Sequence, residues 1–274
     1  MSVVVITGVN PHGLGAATAH AVASQDPSLL ILTYRTREKV DKVIAELKDA
    51  HPSVATRTLH LDLVDTDSIR QAAKELDSIA DHVDVLINNA GVMSVQNRTL
   101  TTSGIEMHFA TNHIGHFLFT NLIMDKLLVG AKKAAKPGVT RVINLSGGWH
   151  QFSPVRFNDI NFEGKEIPDD QRPDRGYLAK FGHETEDVYI PEVAYAQSKT
   201  ANILFSVYLT EHLSKFGILS FALNPGGKAP SDSYRINFDK HGDFDAFFHR
   251  YTNGDRSPFT ARDSRQTASN GVGG

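Results

Sequence analysis

The sequence predicts a doubly wound parallel α/β sheet in a single domain, on three observations. Apolar, β-branched runs alternate along the chain with longer segments of helical period. The runs lack polar alternation, as strands covered on both faces require. The first run leads straight into a glycine-rich turn and then a helix-forming stretch. With 274 residues, 41% hydrophobic and 22% charged, the chain is long enough to enclose one large core.

Val3-Val4-Val5-Ile6-Thr7 is the first strand, and the helix after its glycine turn spans 13–24. Leu29-Leu30-Ile31-Leu32-Thr33 is the second strand, followed by a helix over 36–50. A third strand over 55–60 and a helix over 66–80 precede the fourth strand, 83–87, which runs into Asn88-Asn89-Ala90-Gly91. One long helix is expected over 105–133. Arg141-Val142-Ile143-Asn144-Leu145 forms the fifth strand, 192–215 the next helix, and Leu219-Ser220-Phe221-Ala222-Leu223 the sixth strand. No later run qualifies as a closing strand, so the last edge strand is expected to be missing and the sixth to present its edge. Phe244, Phe247, Phe248 and Tyr251 have the spacing of one short amphipathic helix. The stretch 252–274, rich in Ser, Gly, Asn and Arg, is expected to be a disordered tail, which draws the domain over 1–251.

A formal net charge of −3 argues against general affinity for nucleic acid or anionic membranes, which calls for a basic excess. A small-molecule partner fits better. There is no cysteine, which excludes disulfides, thiolate catalysis and cysteine-ligated metals. The N-terminus lacks a basic region and its apolar run is too short for a signal segment or a membrane span, so a soluble cytoplasmic protein is expected. His113 and His116 have helical spacing, but without a third nearby ligand they do not make a metal site.

Several short motifs carry chemistry. In Gly8-Val9-Asn10-Pro11-His12-Gly13-Leu14-Gly15, glycines between a strand and a helix let the backbone approach a pyrophosphate at the helix N-terminus, where free N–H groups attract anions. The second strand ends in Thr33-Tyr34-Arg35, without the acid that a ribose 2′-hydroxyl would need. Arg35 is instead suited to a 2′-phosphate, which favours NADP over NAD; the alternative is a solvated helix-start charge like Arg37 and Lys39. Tyr195 and Lys199 are one helical turn apart, which puts an ammonium beside a phenol on one helix face. That pairing favours the phenolate and makes a tyrosine an effective proton donor near neutral pH.

Taken together, these motifs resemble the short-chain dehydrogenase/reductase family, in particular fungal members related to retinol dehydrogenases and WW-domain oxidoreductases, over 3–226. The family fold is of the Rossmann type. The resemblance implies that Gly8, Asn10, Gly13, Leu14 and Gly15 bind the cofactor phosphates, although this chain has one residue more between the first two glycines. It implies further cofactor contacts from Asp62 and Leu63 at the adenine, from Asn89, Ala90 and Gly91 under the cofactor, and from Tyr195, Lys199, Pro225 and Gly226. Asp62 also reads as a loop-turn or N-cap residue. The implied catalytic set is Tyr195 as acid/base, Lys199 lowering its pKa and holding the nicotinamide ribose, and Asn112 holding a water in a relay to Lys199. A homodimer through the helices bearing Leu118 and Tyr195 is implied as well.

Two departures qualify the resemblance. The serine that family members place after the fifth strand is Gly147 here, with Ser146 beside it as the substitute candidate; losing such a donor costs about 10²–10³ in rate. Reduced activity follows, or a cofactor-binding but catalytically impaired member acting as sensor or interaction protein. The distance from Gly147 to Tyr195 is several times that in simple members, so most of 151–191 is an insertion. A partial lid is expected there, with Trp149, Phe152 and Phe157 either lining the substrate pocket or anchoring the loop in the core.

Overall fold

The computed structural model describes residues 2–93, 95–180 and 188–226. Six strands form one sheet: β1 Val3–Ile6, β2 Leu29–Tyr34, β3 Thr56–His60, β4 Val85–Asn88, β5 Thr140–Leu145 and β6 Ile218–Leu223. Their order is β3-β2-β1-β4-β5-β6, and every neighbouring pair is parallel. The helices are α1 Leu14–Ala23, α2 Arg37–Ala50, α3 Thr66–Ile79, α4 Met107–Leu122, α5 Met124–Lys133, α6 Arg175–Lys180 and α7 Pro191–Leu213. This is the doubly wound Rossmann-type sheet that the sequence predicts.

Alternate strand residues serve opposite faces, as a pleated strand demands. Val5, Ile31, Leu86 and Val142 meet α3, α4 and α5 through Leu76, Phe119 and Leu127. Val4, Ile6, Leu30, Leu32 and Ile143 meet α1 and α2 through Ala19, Val40, Val43 and Leu47. Asp65 caps α3 by accepting from the N–H groups of Asp67 and Ser68, an arrangement that contributes about 1 kcal/mol. The strand order changes direction between β1 and β4, so a crevice opens at their C-terminal ends.

The helix expected over 105–133 is two helices bent by 59° at Ile123. Inside α4, residues Ala110–Ile114 form a π-helical turn that inserts Asn112 into the helix with an extra residue per turn. Each helix is seated by its own glycine: a Cβ on Gly115 would lie 2.4 Å from the Leu63 carbonyl oxygen, and one on Gly130 would lie 2.3 Å from that of Val83. β4 starts later than expected because Val83 and Asp84 donate their N–H groups to Lys126 and Val3. The insertion packs as a cluster of Phe152, Phe162, Leu178, Ile190 and Val193 against the start of α7. Among the described residues no single helix is long and apolar enough to cross a membrane. The expectations for the C-terminal helix, the tail and a missing closing strand concern 227–274, outside the described residues.

Candidate active site

Thr7 directly follows β1 at the crevice, and its hydroxyl is a three-way junction. It accepts from the N–H groups of Asn89 and Ala90, both at 2.9 Å, and lies 2.8 Å from His116 Nε2. With both lone pairs taken, the hydroxyl proton goes to Nε2. His116 therefore carries its own proton on Nδ1, which faces the Asn112 carbonyl at 3.1 Å. Burial lowers the His116 pKa to about 3, with smaller contributions from Lys199 and His113, so the ring is neutral at ordinary pH. Both ring nitrogens are committed. The sequence offered His116 only as a metal-ligand candidate; its i, i+4 relation to Asn112 was the available signal.

Glycine packing sets the first turn. Gly8 has φ +69°, and a Cβ there would sit 2.6 Å from Ala90 Cα; one on Gly15 would sit 2.7 Å from the Gly8 carbonyl oxygen. Asn89 donates its amide to the carbonyls of Thr7 and Gly8 at 2.7 and 3.2 Å. His12, within this turn, takes up a left-handed backbone at φ 59°. Gly13 caps α1 without a side-chain bond, and the first turn, from Leu14, holds no acid. Its free N–H groups suit an anion. Asn10 is exposed beside them.

At the end of β2, Arg37 is committed to Asp41 at 2.9 Å and to Thr58 at 3.2 Å. Arg35 is exposed and makes no ion pair or hydrogen bond among the described residues. Asp62 accepts the Val64 N–H at 3.2 Å, a loop-turn contact, while Leu63 is buried under Gly115. Gly226 has φ +82° and donates to Asn224 Oδ1, with Pro225 before it.

At the start of α7 the Lys199 ammonium lies 5.3 Å from the centre of the buried Tyr195 ring. It donates to the Leu145 carbonyl at 3.0 Å, and burial lowers its pKa to about 8. Gly91 borders this pair: a Cβ there would meet Asn112 Oδ1 at 3.1 Å and Lys199 Nζ at 3.8 Å. Asn112 spends its side chain on the Val92 N–H and carbonyl and on Ser198 Oγ, at 2.8, 3.0 and 2.9 Å. Ser198 in turn donates to the Tyr195 carbonyl at 2.6 Å.

Ser146, the substitute candidate, is engaged elsewhere in this arrangement. Its hydroxyl donates to the Lys199 carbonyl at 2.9 Å, so its single donor is spent on α7 backbone and is not free for a substrate oxygen. At Gly147 the backbone is extended, and a Cβ would find nothing within 4 Å. The aromatic residues divide. Phe152 is buried core, and Phe157 is 65% exposed. Trp149 stacks on Phe152 at 4.6 Å and presents an edge contact to Tyr195 at 6.3 Å. A cavity of about 210 Å³ lies within the insertion, between Arg156, Phe162, Leu178 and Ile190, and has neither Tyr195 nor Lys199 in its wall.

The family described as short chain dehydrogenase matches residues 2–148. The chain is 41% identical to oxidoreductase fscI of Fusarium equiseti, over 82% of this chain and 86% of that one. It is 35% identical to human retinol dehydrogenase 13 over 81% of its own length, and spans only 58% of that relative. Among solved structures it resembles a metagenomic short-chain oxidoreductase in complex with NADP, with a TM-score of 0.62 at 21% identity over 94% of each chain. It also resembles an NADPH-bound carbonyl reductase from chicken fatty liver, with a TM-score of 0.60 at 21% identity over 85% and 81% of the two chains. With the glycine turn, the Asn-Asn-Ala-Gly crossing and the buried Tyr195–Lys199 pair on one crevice, the chain belongs to the short-chain dehydrogenase/reductase family of oxidoreductases.

Proposed function

We propose that the chain is an NADP-dependent oxidoreductase that interconverts a carbonyl and an alcohol on a small apolar or secondary-metabolite-like substrate, with Tyr195 as general acid/base. The observation that carries this reading is the buried Lys199 ammonium beside the Tyr195 ring, held by the Leu145 carbonyl at the end of β5. Gly8, Asn10, Gly13, Leu14 and Gly15 would hold the pyrophosphate at the uncapped start of α1, and the unpaired Arg35 would read the 2′-phosphate. Asp62 and Leu63 would border the adenine. Asn89, Ala90, Gly91, Pro225 and Gly226 would line the crevice floor and its far wall. Bound nicotinamide supplies the hydride donor or acceptor.

The chain's own groups manage the proton. Tyr195 gives its hydroxyl proton to the substrate oxygen during reduction and recovers one in the reverse direction. Lys199 is charged below pH 8 and favours the phenolate that remains. Asn112 holds the loop at Val92 and, through the Ser198 hydroxyl, the backbone of α7 in register with that pair. Gly147 brings no hydroxyl to the substrate oxygen, which lowers the rate by about 10²–10³ relative to a member that does.

Calorimetric titration with NADPH and with NADH tests the cofactor reading. Tight NADPH binding, much weaker NADH binding, and loss of that difference in Arg35→Ala support it; equal affinities overturn it. Tyr195→Phe should abolish NADPH-dependent carbonyl reduction. Gly147 favours a second reading, a cofactor-binding member without appreciable turnover, and NADPH binding with no reduction of any carbonyl in a broad panel would select it. We further propose a cytoplasmic homodimer, with the domain over 1–251 and a tail over 252–274. The dimer is supported by the exposed apolar side chains Phe117, Leu204, Val207 and Tyr208 on α4 and α7.

A further inference from the structure

Glu106, His108 and Tyr189 belong to none of the family motifs, yet they meet beside Tyr195. Glu106 is 0% exposed and precedes α4. Its Oε2 accepts the Phe109 N–H at 2.9 Å, and its Oε1 lies 2.9 Å from His108 Nδ1. The Val95 N–H donates to His108 Nε2 at 3.2 Å, which leaves that nitrogen bare and puts the ring proton on Nδ1, aimed at the carboxylate. Tyr189 closes the arrangement: its hydroxyl donates to the Val95 carbonyl at 2.9 Å and lies 3.3 Å from Glu106 Oε1. Burial, reinforced by the neighbouring Glu106, raises the Tyr189 pKa and keeps this hydroxyl protonated.

A carboxyl group removed from water is costly, and among the described residues Glu106 has no lysine or arginine partner; a helix cap alone does not call for such burial, since an exposed Ser or Asp caps as well. What the burial secures is a fixed imidazole. His108 meets the Tyr195 ring at 6.0 Å between centres and 74° between planes, an edge contact. Trp149 makes a second edge contact at 6.3 Å, and the Lys199 ammonium stands over the ring at 5.3 Å. Tyr195 is thus bracketed, and one bracket is anchored through Tyr189 to the insertion.

We propose that Glu106, His108 and Tyr189 form a positioning unit for Tyr195: the carboxylate holds the imidazole in one tautomer and orientation, and that ring fixes the plane from which the phenol acts. This rests on the reading of Tyr195 as acid/base. It also gives the insertion a task in the reaction, because the residue that closes the unit lies at its end, directly before α7.

The test uses the full 274-residue chain labelled with [¹³Cζ]tyrosine, with the Tyr195 resonance assigned by its loss in Tyr195→Phe. Tyr189→Phe, His108→Gln and Glu106→Gln are compared with the wild type. The expected result is a displaced or broadened Tyr195 resonance with a shifted ionisation midpoint. In parallel, kcat for NADPH-dependent reduction of 9,10-phenanthrenequinone should fall about tenfold, with NADPH affinity by calorimetry unchanged. An unmoved Tyr195 resonance and midpoint in folded Tyr189→Phe and His108→Gln overturns the proposal. Should Glu106→Gln and His108→Gln both fail to fold, Tyr189→Phe, which removes one oxygen, decides alone. If the wild type reduces nothing, or Tyr195→Phe retains full rate, the acid/base reading falls, while the resonance still decides whether the three residues position the ring.

Discussion

Gly147 and Lys199 set the limits of the site at the level of single residues. The sequence shows that a serine is absent at 147, but only the backbone shows that one could return: the chain there is extended and a Cβ meets open space. Gly147→Ser should therefore raise kcat by up to about 10²–10³-fold with little change in the urea midpoint; steady-state kinetics showing no gain would mean that another donor already serves the substrate oxygen. Lys199 has a folded-state pKa of about 8 against an ordinary 10.5. The unfolded chain then binds more protons between those pH values, so stability rises with pH across that window and the full penalty applies below it. Lys199→Met leaves the Leu145 carbonyl with the Asn202 amide at 3.0 Å. It should stabilise the fold by about 1–3 kcal/mol at pH 7 while abolishing turnover, with the advantage shrinking toward pH 10 in paired urea titrations. Tyr195, Lys199 and the glycines were legible because their spacing is chemical. The spent hydroxyl of Ser146, the contact of Glu106 with Tyr189 and that of His116 with Thr7 were not, because each joins residues far apart in sequence.

Elements were legible where one period governed them and illegible where packing intervened. Four of the described helices, α1, α2, α3 and α7, and all six strands follow from patterning, with ends shifted by a few residues. The segment over 105–133 keeps helical period throughout, so nothing local announces the bend at Ile123 or the π-turn around Asn112. Those features come from docking α4 on Leu63 and α5 on Val83 through separate glycines. Gly115→Ala should cost about 1–3 kcal/mol, since the added carbon would press on backbone oxygen rather than on a yielding side chain. Unchanged urea unfolding would show that α4 slides freely. The insertion was legible as extra length with aromatic content, but which aromatic faced inward depended on the cluster it joined: Phe152 found a core, Phe157 found water.

For the molecule as a whole, strand–helix alternation announced a parallel sheet, while its order, with a single change of direction between β1 and β4, is set by which strands pair across the chain. The same topology leaves apolar side chains exposed on α4 and α7, Tyr208 at 55% among them. Light scattering on the purified chain should give a dimer, and Tyr208→Arg should shift it toward monomer; a monomeric wild type removes the dimer proposal. The Thr7 hydroxyl joins β1, the crossing after β4 and the middle of α4 at one oxygen. The segment under the crevice is a connection by topology, but it cannot open separately from the central strand. It should therefore belong to the last cooperative unit to come apart, with the Asn89 and Ala90 amides exchanging with solvent at the pace of the core rather than of a loop.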